Sequence, residues 1–227
     1  RSPRDGRRHL LALTDRGREA FAALDAASSA EVEGLLRGVA EAEADRLVGA
    51  MRTIERLLGG SPGSQEPVVL RPPRSGDLGW VVQRHGELYA REYGWDMTFE
   101  ALVAGIVADF VRNYDPERER GWIAERGGEN VGSVFLVKHP EREGVAKLRL
   151  LLVEPSARGL GIGTRLVGEC TRFAREAGYH TITLWTNSVL HAARRIYERE
   201  GYRLVEEEPH HSFGHDLVGQ TWELKLA

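Results

Sequence analysis

The order of the predicted elements assigns most of this chain to an α+β/α/β fold. From Val68 onward, apolar spacing predicts a strand, two helices, three strands, a helix, a strand, a helix and two final strands. Leu148 to Val153 is an apolar run interrupted only by Arg149, as in a strand buried on both faces. A glycine-rich loop follows this run and leads into an amphipathic helix. The domain is therefore organised around a strand–loop–helix unit.

The elements before the central strand follow from local patterns. Val68 to Pro72 is predicted to form a short strand. It ends at the proline, which cannot donate a hydrogen bond to strand pairing. Asp77 and Thr98 are each predicted to cap a helix with an apolar face. Gly121 to Glu125 and Val131 to Lys138 alternate as strands on either side of a glycine turn.

The elements after the central strand alternate between helix and strand. Pro155 ends the central strand, and apolar residues from Leu166 to Ala177 recur at helical spacing. Gly201 is a typical helix stop. The remaining elements are a strand, a helix and two strands, at His180 to Trp185, 189–200, Tyr202 to Glu206 and Gln220 to Leu226.

A Gly/Ser-rich segment, Gly59 to Ser64, divides the chain because its composition is that of a flexible linker. We expect three parts: residues 1–58, a linker at 59–67, and a domain at 68–227. The first part contains two amphipathic helices whose narrow apolar faces need a partner. The faces comprise Phe21, Leu24, Ser28, Val32 and Leu35 in the first helix, and Leu47, Val48, Met51, Ile54 and Leu58 in the second.

Composition is that of a soluble globular protein. The 227 residues are 41% hydrophobic and 29% charged, with a net charge of −3, which argues against a general nucleic-acid-binding surface. No apolar run approaches the roughly 20 residues of a membrane helix. Cys170 is the only cysteine and lies on an apolar helix face, which predicts a buried, inert thiol. We expect a cytoplasmic protein.

The glycine-rich loop after the central strand is suited to bind phosphate. Glycine allows close approach of the backbone, and the first N–H groups of a helix carry partial positive charge without helical partners. A nucleoside-triphosphate loop needs a lysine before Thr164, where the chain has Gly163 preceded by Ile162. A dinucleotide loop needs an acid after the next strand, which instead runs into Thr186 and Asn187. Both alternatives are disfavoured but stay open, as does an ordinary glycine-rich turn.

Two motifs resemble those of the GCN5-related N-acetyltransferases. Arg158-Gly159-Leu160-Gly161-Ile162-Gly163 matches the Gln/Arg-x-x-Gly-x-Gly/Ala pyrophosphate loop, and Ala193-x-x-x-Tyr197-x-x-x-Gly201-Tyr202 matches a second motif of the family. The resemblance covers residues 68 to 227. It implies a mixed, mostly antiparallel sheet flanked by helices, acetyl-CoA as donor and an amine as acceptor. No metal site is implied.

The resemblance also implies roles for particular residues. The diphosphate of acetyl-CoA is expected on the loop and the pantetheine along the end of the central strand. Tyr197 is expected to protonate the leaving thiolate. Many family members carry asparagine where this chain has Leu190, so Asn187 is only a substitute candidate. The donor-binding residues are thus expected to be Leu151, Leu152, Val153, Arg158, Gly159, Leu160, Gly161, Ile162, Gly163, Thr164 and Asn187.

The general base and the acceptor are less defined. Family members often use a glutamate where this chain has Lys147 or Trp185. Substitutes for it are a water chain or the tail residues Glu206, Glu207, Glu208, His210, His211 and His215, whose histidines are expected to be solvated in a loop. Glu92, Asp96 and the tail glutamates suit a cationic amine, or are simply a solvated acidic surface. The segment Tyr89 to Asp96 is either a substrate lid or aromatic packing between two helices.

The first part resembles another family. RDGRRHLLALTDRGREAFAALD is similar to the wing and following helix of MarR-type winged-helix repressors, with Thr14 as a helix cap, and residues 38–58 are similar to their dimerisation helix. The resemblance implies a fragment of a fused regulator, a possible homodimer, and DNA contact only through a recognition helix before residue 1. An acetyl-CoA sensor with little turnover is therefore the alternative to an enzyme.

Overall fold

This computed structural model describes residues 13–57 and 67–226. The chain divides into two compact units, Arg1–Gln65 and Glu66–Ala227. The predicted basic wing at residues 1–9 and almost all of the predicted linker at 59–67 lie outside the described residues.

The first unit contains the two predicted helices, α1 at Asp15–Leu36 and α2 at Glu41–Leu57. Thr14 caps α1 as predicted, because its hydroxyl accepts a hydrogen bond from the Gly17 backbone N–H at 3.1 Å. None of the α1 residues is buried, and the side chain of Leu35 is 77% exposed. The apolar faces of these helices therefore remain open to a partner.

The second unit is a seven-stranded sheet with helices on both faces. The strands run in the order β1-β2-β3-β4-β5-β7-β6, and all neighbours are antiparallel except β4 and β5. The strands are β1 Val69–Arg71, β2 Arg120–Arg126, β3 Glu129–Lys138, β4 Val145–Val153, β5 Thr181–Asn187, β6 Arg203–Ser212 and β7 His215–Lys225. The helices are α3 Asp77–Tyr93, α4 Met97–Arg112, α5 Ile162–Glu176 and α6 His191–Arg199. The predicted element order and the mixed, mostly antiparallel sheet are confirmed.

The last two strands are longer than predicted. β6 continues to Ser212 and β7 begins at His215, so the segment expected as a loop with solvated histidines is a hairpin. Pro209 is compatible with this strand because β6 lies at the edge of the sheet, where one missing N–H is tolerated.

Two predicted helix caps were wrong. Asp96 caps α4, since its carboxylate accepts a hydrogen bond from the Thr98 backbone N–H at 2.9 Å. Asp77 is the first residue of α3 and binds Arg71 and Asn130 instead. Burial disfavours its charged form, but hydrogen bonds from Arg71, the Arg74 backbone and Asn130 outweigh this effect and lower its pKa to about 2.

The sheet is packed on both faces. α5 buries Leu166, Cys170 and Phe173 against one face, and α4 buries Val107 and Phe110 against the other. Each apolar side chain of this size stabilises the fold by about 1.5–3 kcal/mol. Cys170 is fully buried as predicted, and burial raises the pKa of its thiol, so it stays protonated and unreactive.

Candidate active site

The site lies where the sheet opens between its two parallel strands. β4 pairs with β5 only from Val145 to Leu148 within the described residues. Beyond this point β4 continues along β3 to Val153, while β5 continues along β7 to Asn187. The β4 edge facing this gap is left free to pair with an extended ligand, as an added strand would.

A bulge in β4 shapes the opening. The pairing register with β3 shifts between Ser133 and Phe135, and Leu150 has a φ of 54°, a conformation that is rare for residues other than glycine. The Ser133 hydroxyl donates a hydrogen bond to the Leu150 carbonyl at 3.0 Å and holds the bulge. The bulge turns the following residues of β4 along the gap.

The glycine loop presents the N-terminus of α5 at the end of this gap. Gly159 and Gly161 have φ values of 82° and 74°, and an added Cβ would meet nothing within 4 Å, so they serve the backbone conformation. Gly163 serves packing, since a Cβ there would lie 2.6 Å from the Ile196 side chain. The first helical hydrogen bond of α5 runs from the Arg165 N–H to the Gly161 carbonyl. The N–H groups of the first helical residues before Arg165 therefore have no helical partner and are free to bind an anion.

A cleft of about 590 Å³ runs along the loop and the end of β4. Its size is that of a site for a cofactor-sized ligand. Nine of the eleven predicted donor-binding residues line it: Leu151, Leu152, Val153, Arg158, Gly159, Gly161, Ile162, Gly163 and Thr164. Leu160 is 51% exposed and does not line this cleft, and Asn187 lines a neighbouring cavity instead. We call this space the donor cleft.

Arg158 is already engaged across the donor cleft. Its guanidinium donates hydrogen bonds to both carboxylate oxygens of Glu92, at 2.8 and 3.0 Å, and to the Val153 carbonyl at 3.3 Å. Two roles were considered for Glu92, a contact for a cationic amine and part of a solvated acidic surface; its carboxylate lies on the donor side and binds Arg158. An incoming phosphate would compete with Glu92 for the same guanidinium.

A smaller cavity of about 120 Å³ adjoins the donor cleft, and we call it the acceptor cavity. The two spaces share the lining residues Tyr89, Leu151, Leu190 and Ala193. The rest of the acceptor cavity is mainly apolar and aromatic. Its other walls include Trp95, Phe99, Lys147, Arg149 and Trp185.

Tyr197 on α6 lines the acceptor cavity, one helical turn from Ala193, which lines both spaces. Its side chain is only 4% exposed, and its hydroxyl makes no hydrogen bond with any residue that the structure describes. Burial raises the pKa of this phenol, and Tyr89 and Cys170 add to the effect. The hydroxyl is therefore protonated at neutral pH and available as a proton donor.

Comparison with known proteins identifies the family. The sequence profile of the acetyltransferase (GNAT) family matches residues 82–202. An N-acetyltransferase of Schizosaccharomyces pombe is 32% identical over 124 residues, which cover 54% of this chain and 74% of that protein. The chain belongs to the GNAT acetyltransferase family. Acetyl-CoA is the co-substrate of this family. Both motifs identified in the sequence lie within the matched residues 82–202.

Two further proteins are similar to this chain, one in sequence and one in fold. N-acetyltransferase family 8 member 2 of Rattus norvegicus is 35% identical over 101 residues, 43% of this chain and 44% of that protein. The yncA protein of Salmonella typhimurium, solved with its cofactor acetyl-CoA, superposes with a TM-score of 0.57 at 16% identity over 71% of this chain and 95% of that chain. This likeness shows the GNAT fold.

The predicted base candidates do not reach the acceptor cavity. Glu207 and His211 are exposed on β6, where Glu207 accepts a hydrogen bond from Gln220 and His211 pairs with Asp216. His215 binds the Gly94 carbonyl at 3.0 Å. The candidates that line neither the acceptor cavity nor the donor cleft are Glu206, Glu207, Glu208, His210, His211 and His215. Five of these candidates lie on β6, an edge strand on the far side of β7, and His215 is the first residue of β7.

His210 comes nearest to the acceptor cavity. Its Nε2 lies 2.9 Å from the Asn187 side-chain oxygen, and its ring lies 5.4 Å from that of Trp185. Asn187 and Trp185 both line the cavity, so His210 supports its wall from behind.

His85 was missed as a cavity residue, since the sequence shows it only on an apolar helix face. Its Nδ1 lies 2.8 Å from the Val81 carbonyl, while its buried Nε2 has no partner among the described residues. Burial lowers its pKa to about 4, so the ring is neutral at pH 7. The Val81 bond identifies Nδ1 as the protonated nitrogen and leaves Nε2 as an acceptor.

The aromatic segment before α4 is packed between elements. The ring of Tyr89 lies 4.5 Å from that of Phe99, and Trp95 lies 4.8 Å from Phe213 in the β6–β7 turn. Of the two predicted alternatives for Tyr89 to Asp96, aromatic packing is the one observed. Tyr89 still contributes to the walls of both spaces.

Within residues 13–57 and 67–226, no group of three or more His, Cys, Asp or Glu side chains is arranged to hold a metal ion. None of the described helices has the length and apolar character needed to cross a bilayer.

Proposed function

We propose that this chain transfers the acetyl group of acetyl-CoA to a primary amine, carried by a small molecule or a protein. The observation that carries the proposal is the free, protonated hydroxyl of Tyr197 in the wall of the acceptor cavity, one helical turn from Ala193, which lines both spaces. The names of the relatives as N-acetyltransferases support a nitrogen acceptor.

The donor cleft supplies binding and orientation. The free N–H groups at the start of α5 suit the diphosphate, and Arg158 adds a full positive charge once it leaves Glu92. The free edge of β4 at Leu151 to Val153 suits the amide-bearing pantetheine arm. A backbone N–H of this edge is suited to polarise the thioester carbonyl.

Tyr197 supplies the proton. Acetyl-CoA provides an activated acyl group whose leaving group is a thiolate. Because thiols have pKa values of about 8.5, the thiolate needs only modest help from an acid near neutral pH. The amine must lose a proton, and solvent water is the acceptor we propose, because no aspartate or glutamate among the described residues lines the acceptor cavity.

The test is acetyl-CoA-dependent release of free thiol, followed with a panel of amines and with no amine. Release that depends on both substrates, with acetylated amine as product, is the expected result. Thiol release at the same slow rate with and without every amine would contradict an acetyltransferase.

No aspartate or glutamate among the described residues lines the acceptor cavity, and this favours a second candidate, an acetyl-CoA sensor with little turnover. In such a protein, exchange of Arg158 between Glu92 and phosphate would report occupancy. Tight acetyl-CoA binding without amine-dependent thiol release would favour this candidate over the enzyme.

For the part before residue 59, we propose a relationship to the dimerisation region of MarR-type regulators. The support is the unburied apolar side chains of α1 and α2, among them Leu24 at 71% exposure and Met51 at 60%. A second copy would cover these faces. Light scattering should give a dimer for the wild-type chain and a monomer for Leu24→Glu, and a monomeric wild type would contradict this assignment.

A further inference from the structure

Two cations project from one face of β4 at the acceptor cavity. Lys147 and Arg149 are two residues apart on the strand, so they lie on the same face. Both are partly buried and both line the cavity that also contains Tyr197. In the sequence, Lys147 was noted only because it stands where relatives often have a glutamate.

Neither cation has a partner. Neither side chain makes an ion pair or a hydrogen bond with any residue that the structure describes. Asp109 acts on Arg149 only through longer-range attraction and pairs with Arg112, while Glu141 acts on Lys147 in the same distant way. Burial lowers the pKa of both groups, and Arg149 lowers that of Lys147 further by repulsion. Two partly desolvated like charges without a counter-ion are costly to maintain.

The remaining walls define what the cavity accepts. They are largely apolar and aromatic, with Trp95, Phe99 and Trp185 among them, and no acidic side chain of the described chain joins them. An acceptor that carries a second positive charge besides its amine would place that charge beside Lys147 and Arg149, which would repel it. An anionic group beside an apolar body would match both the charge and the surface.

We propose that the acceptor is an α-amino acid with an apolar or aromatic side chain, whose carboxylate binds Lys147 and Arg149. This inference rests on the proposed acetyltransferase function and names the substrate class of the same site. The amine nitrogen forms the new bond to the acetyl carbon, and the carbon–sulfur bond breaks. Tyr197 protonates the departing sulfur, and the proton lost by the nitrogen passes to water.

The phosphates of acetyl-CoA do not account for these cations. Arg149 pairs with Phe135 and Val153 pairs with Gly132, three residues apart on β3, which corresponds to about 10 Å along the strand. The glycine loop and the start of α5, which suit the diphosphate, lie beyond Val153. Lys147 and Arg149 are therefore at the opposite end of the site from the expected phosphate position.

The first test compares acceptors that differ only in the carboxylate. Phenylalanine, phenylalaninamide and phenethylamine share an aromatic side chain and a primary amine. With saturating acetyl-CoA, kcat/KM for phenylalanine should exceed that for either of the others by about 30-fold or more, as expected for loss of a charge-assisted contact. Equal or higher kcat/KM for phenethylamine would overturn the proposal.

The second test removes the cations one at a time. Lys147→Met and Arg149→Met keep length and apolar volume but remove the charge. Each should reduce the preference for phenylalanine over phenethylamine at least about 10-fold, mainly through KM, with the Kd for acetyl-CoA unchanged. The control Arg172→Met removes an exposed cation on α5 that binds Glu169 and Glu176, and should leave the preference intact. A preference that survives both β4 variants would overturn the proposal.

A binding measurement separates this proposal from the proposed function. Quenching of tryptophan fluorescence with CoA present should report N-acetylphenylalanine binding to the wild type, because Trp95 and Trp185 line the cavity. The affinity should exceed that of N-acetylphenethylamine about 10-fold or more, and Arg149→Met should abolish the difference. Equal affinities would overturn the carboxylate site. Selective binding without turnover of any amine would support the carboxylate site while contradicting the enzyme.

Discussion

The donor cleft and the acceptor cavity meet at Tyr89, Leu151, Leu190 and Ala193 but are built from different elements. The donor cleft is lined by one continuous stretch, the end of β4, the glycine loop and the start of α5, whose free backbone groups suit the donor, and by residues of α3 and around α6. The acceptor cavity consists of side chains from α3, α4, β4, β5 and α6. A backbone site tolerates sequence change wherever the conformation is kept, whereas a side-chain site changes its specificity with single substitutions. The two spaces should therefore respond differently to mutation.

The largest expected effect concerns Tyr197 in the wall of the acceptor cavity. Tyr197→Phe removes the proton donor while keeping the ring, so kcat should fall at least about 100-fold without reaching zero, since a thiolate is a tolerable leaving group. The Kd for acetyl-CoA should change little. Tyr114→Phe, at a half-exposed position beside Phe110, is the matched control. An unchanged kcat for Tyr197→Phe would remove this hydroxyl from the mechanism.

The acceptor wall should also make stability depend on pH through His85. Its folded-state pKa of about 4 lies below the unfolded value of about 6.5, so the unfolded chain binds the proton first as pH falls. The free energy of unfolding should drop by ~3 kcal/mol between pH 6.5 and pH 4 from this residue alone.

Urea unfolding measured by tryptophan fluorescence checks this prediction, since all five tryptophans lie in the second unit. His85→Gln should flatten the pH dependence in that window, and His191→Gln, at an exposed position, should preserve it. A wild-type curve that is flat from pH 6.5 to pH 4 would show that His85 is not held neutral.

The donor cleft should respond to backbone strain. Gly161→Ala forces a Cβ onto a residue with a φ of 74°, which costs roughly 1–2 kcal/mol and displaces the N–H groups at the start of α5. Acetyl-CoA affinity should fall about 10-fold, while the preference among acceptors should be unchanged. Gly168→Ala, inside α5 with open space around it and no positive φ, should leave affinity intact. Equal effects of the two variants would contradict a backbone-built donor site.

The smallest expected effect concerns the Arg158–Glu92 pair. Glu92→Gln keeps the shape but removes the charge that competes with phosphate, so acetyl-CoA affinity should rise about 3-fold. The gain should shrink as salt is raised. Isothermal titration at two ionic strengths checks this, and weaker binding by Glu92→Gln would mean that the carboxylate positions Arg158 for the ligand.

The same contrast explains what could be predicted from the sequence. The strand, loop and helix of the donor cleft are contiguous, and their glycine spacing and apolar period are local signals. Nine of the predicted donor residues consequently lie along one cleft. Leu160 was included because its backbone N–H belongs to the loop, but Leu160 is half exposed and does not line the cleft.

The acceptor cavity depends on long-range pairing that no local pattern specifies. The opening arises because pairing of β4 with β5 stops at Leu148, and the bulge at Leu150 has no glycine to signal its positive φ. The histidine-containing tail was interpreted as a loop because Pro209 and clustered charges hide an edge strand. Lys147 could be seen only as a missing glutamate, because its position beside Arg149 over an apolar cavity depends on the assembled sheet.

The measurement that tests the central claim most directly is calorimetric titration of acetyl-CoA, NAD and ATP into the purified chain. We predict selective binding of acetyl-CoA with a micromolar Kd, about −8 kcal/mol, because the free N–H groups of α5 and the free edge of β4 lie in one cleft. Folded protein that binds no acetyl-CoA, or that binds NAD or ATP equally well, would contradict the assignment of the donor cleft and of every catalytic role that depends on it.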